Sequence, residues 1–291
     1  RTAEVLAQAR EIVIARALAD DQRPGSLPCA SPDTGGSGTY DGDPCDTDFG
    51  RFPYRTLDSA PLKDGDGELL WYVLDPGLRD RASQHPINPN DKPGALQIGD
   101  RGHFAAVIMA PGAPLEGQVD EARDEVDEYF EAGNDSAPLF SRCEEVSDCN
   151  DRLRGILVDE LFHKVQQRVL KVVTERLAEF YKDSAPVSGS RYLPYAEGFG
   201  GSDCAAGGEP GYLPVTDNES GNGDCGKALK ESEFPGWIVA NEWLGLIVYH
   251  VDPACTQAQR TCAETSRSLD DKRVHAIVGA PGRPIDEAPI N

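Results

Sequence analysis

Two stretches of the chain carry apolar residues at helical spacing. In residues 2–20, apolar side chains recur every three or four positions, which predicts a helix that ends before Pro24-Gly25. Residues 154–183 give a stronger pattern, because their apolar residues form one stripe along a longer predicted helix. We expect this stripe to be buried. Its members are Leu161, Val165, Val169, Val172, Val173, Leu177 and Phe180.

Short apolar runs bounded by turn residues predict strands. The runs GRFPYRTL (50–57) and GELLWYVLDP (67–76) are typical of strand segments, joined by an Asp-Gly turn at 64–67. The run AAVIM (105–109) predicts a further strand, which the following Ala-Pro-Gly ends. Residues 119–150 are acidic and irregular, and this composition predicts a loop.

The same order of features occurs twice along the chain. Each time a helix is followed by Leu-Pro, a glycine-rich loop with two cysteines, a Phe-Pro segment, a strand ending in Asp-Pro, and a strand ending in Ala-Pro-Gly-x-Pro. Five ordered matches favour a tandem duplication over two unrelated segments that share turn chemistry. The matched segments are Leu27-Pro28 with Leu193-Pro194, 29–45 with 204–225, 52–55 with 234–237, 69–76 with 246–253, and 111–114 with 281–284.

This repeat predicts two modules. The first, 1–150, contains helix 2–20, a sheet and the acidic loop, and the second, 151–291, contains helix 154–183 and a sheet. We expect the Ala-Pro-Gly-x-Pro ending to mark the last strand of each module. The motif itself is expected to carry no chemistry.

Charge narrows the classes of partner. The 291 residues include 28 basic and 50 acidic side chains, for a formal net charge of −22. Such a surface repels phosphate backbones and anionic lipid, so we expect no nucleic-acid binding. No stretch of the sequence reaches the ~20 apolar residues of a membrane helix. The sequence opens in a helical pattern without an initiator Met, and we expect an upstream segment to have been removed.

The eight cysteines fall as four pairs of sequence neighbours. None forms Cys-x-x-Cys, and the few histidines stand away from them, which argues against a zinc site. An even number in loops rich in glycine, aspartate and serine is typical of disulfides formed in an oxidising compartment. Neighbour pairing is the simplest connectivity, although the spacing leaves other pairings open. The neighbours are Cys29 with Cys45, Cys143 with Cys149, Cys204 with Cys225, and Cys255 with Cys262.

The first half of the chain resembles bacterial type IV pilin-like proteins. The helix pattern A-L-x-x-A-[RK]-E of that family is matched by Leu6, Ala9, Arg10 and Glu11. Its later segments, G-R-L-P-C-P, G-x-L-P-[WY]-x-T-L and D-G-x-G-x-x-L-W-Y-x-V, are matched around 27–29, at 50–57 and at 64–73. The resemblance covers residues 2–182 directly and the remainder through the internal repeat. It departs from the family at Arg16, where a tyrosine is usual, and in the acidic surface.

This resemblance implies an α+β fold, with an amphipathic N-terminal helix packed on an antiparallel β-sheet and the module repeated in tandem. It implies a non-enzymatic minor pilin or pseudopilin of a type IV pilus or type II secretion system, placed outside the cytoplasm at the cell surface or in the periplasm. The partners would be other pilin subunits and, through a missing N-terminal segment, the inner membrane. Filament contacts are expected from Val5, Leu6, Ile12 and Val13.

Two other classes of function stay open on the sequence. A pilus-tip adhesin that recognises glycan or protein would use the loops around the second and fourth cysteine pairs. A secreted hydrolase would need a site assembled from scattered residues, because the sequence contains no Gly-x-Ser-x-Gly motif. The sequence therefore favours a structural subunit.

Acidic loops bring one cofactor, calcium, into consideration. In DGDGE, Asp64, Asp66 and Glu68 present alternating oxygens like the start of a calcium loop. The segment lacks the length and the terminal glutamate of a complete loop, so a plain hairpin turn explains it better and calcium is the alternative. The acidic loops 41–48 and 217–225 are further candidates.

Overall fold

Helices and short strands combine in a mixed α+β fold that divides into two compact units. The first unit holds Arg1–Lys164 and the second holds Val165–Gly282. The modules predicted as 1–150 and 151–291 stay a prediction about duplication, because compactness does not record ancestry. The computed structural model describes residues 1–33, 35–38, 47–80, 86–90, 94–115, 118, 126–145, 148–184, 191–199, 204–205, 208–216, 229–262 and 268–282.

The helices of the described ranges are α1 (Thr2–Ala19), α2 (Val158–Asp183) and α3 (Gly236–Ala240). α1 buries one apolar stripe, as its spacing predicts. Its outer face carries alanines as well as polar residues, so the helix is less amphipathic than expected. The buried residues of α1 are Leu6, Ala9, Val13, Ile14 and Ala17.

One sheet organises the first unit. Its strands are β1 (Phe49–Arg51), β2 (Trp71–Leu74), β3 (Leu96–Ile98), β4 (Arg101–Ala110), β5 (Leu139–Phe140) and β6 (Arg152–Leu157). The strand order is β1-β2-β4-β3-β5, and β6 pairs with β4. β3 and β5 are parallel, whereas the other pairs are antiparallel.

Alternate side chains of this sheet enter two separate cores. On one face, Tyr72 and Ile108 pack in a cluster with the buried stripe of α1. On the other face, Trp71 and Val107 pack with aromatic side chains of residues 129–140. β4 is therefore buried on both faces over most of its length, which explains its nearly continuous apolar sequence.

The predicted start of the second helix at residue 154 is wrong. Residues 152–157 form β6, in which Ile156 lies opposite Ala106 of β4. The pairing with β4 and the burial of Ile156 stabilise a strand here, and α2 begins only at Val158. The predicted apolar stripe is buried at Leu161, Val165, Val169, Val173 and Leu177, and half-buried at Val172 and Phe180.

Two predicted strands also differ from the structure. The segment 50–57 is a strand only as far as Arg51, because Pro53 is followed by a turn over residues 54–58. β4 is longer than the predicted 105–109, and it is not the last strand of its unit, since β5 and β6 return to the same sheet.

The second unit contains a smaller antiparallel sheet in the order β13-β10-β7. The unit also contains an antiparallel hairpin, β11-β12, and a parallel pair, β8-β9. Trp243, Ile247 and Tyr249 are fully buried in it. Its strands are β7 (Gly211–Tyr212), β8 (Val215–Thr216), β9 (Leu229–Lys230), β10 (Val248–Val251), β11 (Ser268–Leu269), β12 (Lys272–Arg273) and β13 (Ala276–Gly279).

The two sheets share one pairing register. β2 meets β4 with Tyr72 opposite Ile108, and β10 meets β13 with Tyr249 opposite Val278. All four residue pairs of the first ladder have a counterpart at the same position in the second. The register therefore aligns the two Asp-Pro strands and the two Ala-Pro-Gly strands that the sequence pattern matched.

A glycine occupies the same position in the edge strand beside each of these tyrosines. Gly50 lies opposite the first tyrosine and Gly211 opposite the second. A Cβ atom at Gly50 would lie 2.2 Å from the carbonyl oxygen of Ser31, and one at Gly211 would lie 2.0 Å from that of Glu197. Both positions therefore exclude a side chain, because a backbone segment that bridges to the next residue of the strand lies against the glycine.

The residues after these glycines also correspond. The N–H of Phe52 donates to the carbonyl of Leu70 at 2.9 Å, and the N–H of Leu213 donates to that of Ile247 at 2.9 Å. The geometric counterpart of Phe52-Pro53 is thus Leu213-Pro214, not the predicted Phe-Pro at 234–235.

Each central strand ends in an Asp-Pro turn of the same geometry. The Asp75 carboxylate accepts the Gly77 N–H at 2.8 Å, and the Asp252 carboxylate accepts the Ala254 N–H at 2.9 Å. The backbone N–H of Asp75 donates to the carbonyl of Ala105 in β4, and that of Asp252 donates to the carbonyl of His275 just before β13, at 2.8 Å in both units. Aspartate suits this position because its short side chain caps the turn that proline opens.

The paired tyrosines give a matched test of these cores. The hydroxyl of Tyr249 donates to the Pro194 carbonyl at 3.1 Å, whereas the buried Tyr72 hydroxyl has no partner among the described residues. We expect Tyr249→Phe to lower the free energy of unfolding by about 1 kcal/mol, because the Pro194 carbonyl loses its donor. Tyr72→Phe should leave stability unchanged or raise it. Denaturant unfolding of both variants checks this, and equal losses would contradict it.

Candidate functional site

The predicted filament residues divide into two pairs in the structure. Leu6 and Val13 are 3% and 0% exposed and belong to the core of the first unit, so they hold α1 on its own sheet. Val5 and Ile12 are partly buried and pack against the edge of that core. Helical spacing could not separate the pairs, because it does not tell which neighbour covers a stripe. A filament contact through Val5 and Ile12 stays a prediction.

Ion pairs fix the middle and the C-terminal end of α1 within the first unit. Arg10, part of the pilin-like pattern, binds the carboxylate of Glu160 in the first turn of α2. Arg16 lies 3.0 Å from Asp20 and 3.2 Å from Asp80. The arginine at position 16, which departs from the family pattern, thus ties the end of α1 to the segment that follows β2.

The predicted calcium residues form a hydrogen-bonded turn. Asp64 is buried, and its Oδ1 accepts the N–H groups of Asp66 and Glu68 at 2.9 Å each. Its Oδ2 accepts the N–H of Gly112 at 3.0 Å. Because both oxygens are aimed at backbone donors, this geometry fits the plain hairpin turn. It also joins the DGDGE turn to the Ala-Pro-Gly that ends β4.

The other metal candidates give little support for an ion. Residues 41–46 of the second acidic loop candidate lie outside the described residues, as does all of 217–225. Glu131, Cys143, Cys149 and Asp151 lie within ligand distance of one another. Both cysteines of this group are joined in a disulfide, so they offer no thiolate to a metal.

Two of the four predicted disulfides lie within the described residues and are confirmed. Cys143 is bonded to Cys149, and Cys255 to Cys262. Cys29 and Cys204 are also in disulfide form. Their predicted partners, Cys45 and Cys225, lie outside the described residues. Disulfides of this kind are typical of proteins outside the cytoplasm.

A pair of carboxyl groups lies beside the first of these disulfides. Asp151 is 3% exposed, and its Oδ2 accepts the Asn134 side-chain amide at 2.9 Å and the Glu131 N–H at 3.1 Å. Its Oδ1 is buried without a partner among the described residues. Burial and the neighbouring Glu131 carboxyl raise the pKa of Asp151 to about 7. Asp151 therefore keeps its proton up to a higher pH than an ordinary aspartate does.

A cavity of about 470 Å³ opens beside β6 in the first unit. Arginines from α1, from β4, from β6 and from the segment before the Cys143–Cys149 disulfide converge on it. Sequence reasoning missed this cluster, because the total charge conceals it and its members are far apart in the chain. The one local signal is the alternation of arginines in DRLRG. The five are Arg10, Arg101, Arg142, Arg152 and Arg154.

Two matched substitutions separate the turn from a calcium site. Asp64→Asn should lower the free energy of unfolding by about 1–3 kcal/mol, since it replaces the oxygen that Gly112 donates to with an N–H₂ group. Asp66→Asn should have little effect, because Asp66 is exposed and its carboxylate accepts none of these bonds. Thermal melts with chelator and with millimolar calcium check both variants. A calcium-dependent rise in Tm that either substitution abolishes would contradict the turn interpretation.

The raised pKa of Asp151 predicts a pH dependence of stability. The folded state holds this proton more tightly than the unfolded chain, so the contribution is complete below the ordinary aspartate pKa. It is then lost as the pH rises towards about 7. Asp151→Asn keeps a permanent donor towards Glu131 and should flatten the fall in Tm between about pH 5 and pH 8.

The exposed Asp148 supplies the matched control for this prediction. Asp148→Asn removes the same charge from the same loop and should keep the wild-type pH profile. If Asp151→Asn and Asp148→Asn give the same profile as the wild type, Asp151 does not carry the proton.

Comparison with known proteins identifies no relative from which a function could be assigned. No protein-family model, no curated protein and no solved structure matches this chain. Within the described residues, neither α1 nor any other helix combines the length and the apolar character needed to span a membrane. The assignment of a function therefore depends on the quoted sequence motifs and on the geometry of each unit.

Proposed function

We propose that this chain is the non-catalytic head region of a type IV pilin-like subunit, a minor pilin or pseudopilin, that carries two copies of a pilin-like module. The observation that carries the proposal is the shared pairing register of the two sheets. Each sheet places an edge strand, a central strand ending in Asp-Pro and a strand ending in Ala-Pro-Gly in the same order.

The contacts around each sheet support a duplication. The N–H of Leu27 donates to the carbonyl of Leu78 at 2.7 Å, and the N–H of Leu193 donates to that of Cys255 at 2.8 Å. Each Leu-Pro segment thereby forms a parallel bridge with the turn that follows the central strand, to Arg79 in one unit and to Thr256 in the other. Turn chemistry alone would not reproduce these long-range bonds together with the strand register.

The helix preceding each Leu-Pro segment also supports the proposal. α1 buries its apolar stripe against the first sheet, and the apolar stripe of α2 is buried along residues 161–177. A helix packed on an antiparallel sheet is what the resemblance implies for a pilin head. The second helix would then be the internal counterpart of α1.

The outer face of α1 is the surface proposed for filament contacts. Gln8 and Ala15 are exposed, and they lie on one helical stripe with the partly buried Val5 and Ile12. Leu6 and Val13 lie on the opposite stripe, inside the core. The filament interface proposed from sequence is therefore narrowed to the stripe of Val5, Gln8, Ile12 and Ala15.

The two described disulfides support a location of this protein outside the cytoplasm. The loops closed by Cys143–Cys149 and Cys255–Cys262 are short, and such bonds persist in oxidising compartments. We propose the cell surface or periplasm, with other pilin subunits as partners. A tip adhesin would occupy the same place and differ in having an external ligand.

Site-directed cross-linking in cells tests this proposal. Gln8→Cys and Ala15→Cys place a thiol on the outer stripe of α1, and Thr174→Cys places one on an exposed position of α2 as the matched control. In sheared surface filaments or a membrane-bound secretion complex, we expect the first two variants to form cross-links to pilin subunits and the control to form none.

Processing of the precursor supplies a second readout. The proposal expects a short leader that ends in glycine and is followed by an apolar segment, and N-terminal sequencing of the mature protein detects this cut. A conventional signal peptide together with absence of the protein from filaments and secretion complexes would overturn the proposal. Saturable hits on a glycan array, from a protein that does fractionate with filaments, would favour the adhesin.

A further inference from the structure

Arginine side chains cluster in the cavity beside β6. Five arginines line it, in a chain with a formal net charge of −22. Of these, only Arg10 has carboxylate partners among the described residues, and they are Glu11 and Glu160. The remaining four, Arg101, Arg142, Arg152 and Arg154, are exposed and form no ion pair within the described ranges. With acidic residues so abundant, a cluster of unpaired arginines is a specific local feature and not an average property of the surface.

The floor of this cavity is the edge of a sheet. In the described part of the chain, β6 pairs with β4 and with no other strand. Alternate backbone N–H and C=O groups of β6 therefore face outward and are available to a further strand. The edge lies between the N-terminal half of α1 and the residues around Cys143, which contribute Leu6 and Arg142 to the two walls.

Arginines flank this edge on both faces of the sheet. Arg152 and Arg154 share a face with Ile156, which packs in the core under α1. Arg101 lies over the ring of Phe104, which belongs to the core on the other face. An added strand would thus meet positive charge on both of its own faces.

Gly155 lies in the middle of the β6 edge, where it leaves the strand without a side chain. A Cβ atom at this position would lie 2.2 Å from the Phe104 ring, so only glycine allows the ring to cover the strand. Leu153 and Leu157, on either side, are half-buried and pack against the same core. The strand edge therefore offers a short apolar strip bordered by guanidinium groups.

We propose that this groove binds an extended, acidic segment of a partner protein, which adds to the free edge of β6 as a further strand. Its backbone would pair with β6, and its carboxylates would meet Arg152 and Arg154 on one face and Arg101 and Arg142 on the other. The carboxylates already present do not neutralise the groove. Three carboxylates line it against five arginines, Glu144, Asp151 and Glu160. Glu160 is bound to Arg10, and Asp151 accepts hydrogen bonds from Asn134 and Glu131. Glu144 is exposed and forms no ion pair within the described ranges.

Peptide binding to the purified full chain tests the proposal. The probe is a fluorescein-labelled nine-residue peptide in which every third residue is valine and the rest are glutamate, measured by anisotropy at low ionic strength. We expect saturable binding that weakens by about tenfold in the double variant Arg152→Glu/Arg154→Glu. Arg55→Glu, a charge reversal at one exposed arginine outside the groove and so half the charge change of the double variant, should stay within about twofold of the wild type.

Two control peptides separate strand addition from simple charge attraction. A glutamine version removes the carboxylates, and a version methylated on alternate backbone nitrogens keeps every charge but loses strand donors. Both should bind about tenfold more weakly than the probe. Equal binding of the methylated peptide, an equal loss in Arg55→Glu, or no binding of the probe would each overturn the proposal.

A second variant guards against misfolding of the first. Arg101→Gln/Arg142→Gln alters the opposite wall without adding negative charge and should also weaken binding, with thermal melts confirming that both double variants are folded. This proposal goes beyond filament assembly and does not depend on it. A protein that binds the peptide but is absent from filaments would keep this proposal and lose the other.

Discussion

Two buried aspartates hold the central strand β4, one near its middle and one just beyond its C-terminal end, and the first unit depends on this arrangement. Near the middle, the Asp75 carboxylate accepts the N–H groups of Gly77 at 2.8 Å and of Gly94 and Ala95 at 2.7 Å each, while the backbone N–H of Asp75 donates to the carbonyl of Ala105. Just beyond the end of β4, the Asp64 carboxylate accepts the N–H of Gly112. A buried carboxylate is costly unless it is hydrogen-bonded, so each aspartate is tolerated only where the backbone converges on it. The same requirement fixes the approach of β3 and the DGDGE turn.

Asp252 repeats part of this arrangement in the second unit. It ends β10 as Asp75 ends β2, and its N–H reaches the carbonyl of His275 just before β13. The sequence marked these two aspartates only as Asp-Pro dipeptides, which are common. In the structure, both carboxylates are buried and both aspartates make equivalent hydrogen bonds across their sheets. The two dipeptides therefore correspond in geometry as well as in sequence.

The elements that followed from sequence are those governed by local periodicity. The α1 stripe and the core of β4 belong to this class. The two described disulfide pairs followed instead from the short separation of their cysteines along the chain. The start of α2 did not follow, because Arg152–Leu157 has apolar residues compatible with either period and only the edge of β4 selects a strand. The role of Asp64 was open between calcium and a turn, since the choice depends on Gly112, 48 residues away. The arginine groove could not be predicted from the sequence, because its arginines lie between positions 10 and 154 and only the folded sheet brings them together.

The division of the chain inside α2 has a consequence for dissecting the protein. A fragment cut at residue 150, where the sequence pattern places a boundary, would lose β6 and with it Ile156 from the core. The long side of β4 would then be an open apolar edge, which is a template for aggregation. A recombinant fragment of the first unit would have to extend to the end of α2 at Asp183. Such a fragment keeps β6, the last strand of the first unit, and leaves α2 intact.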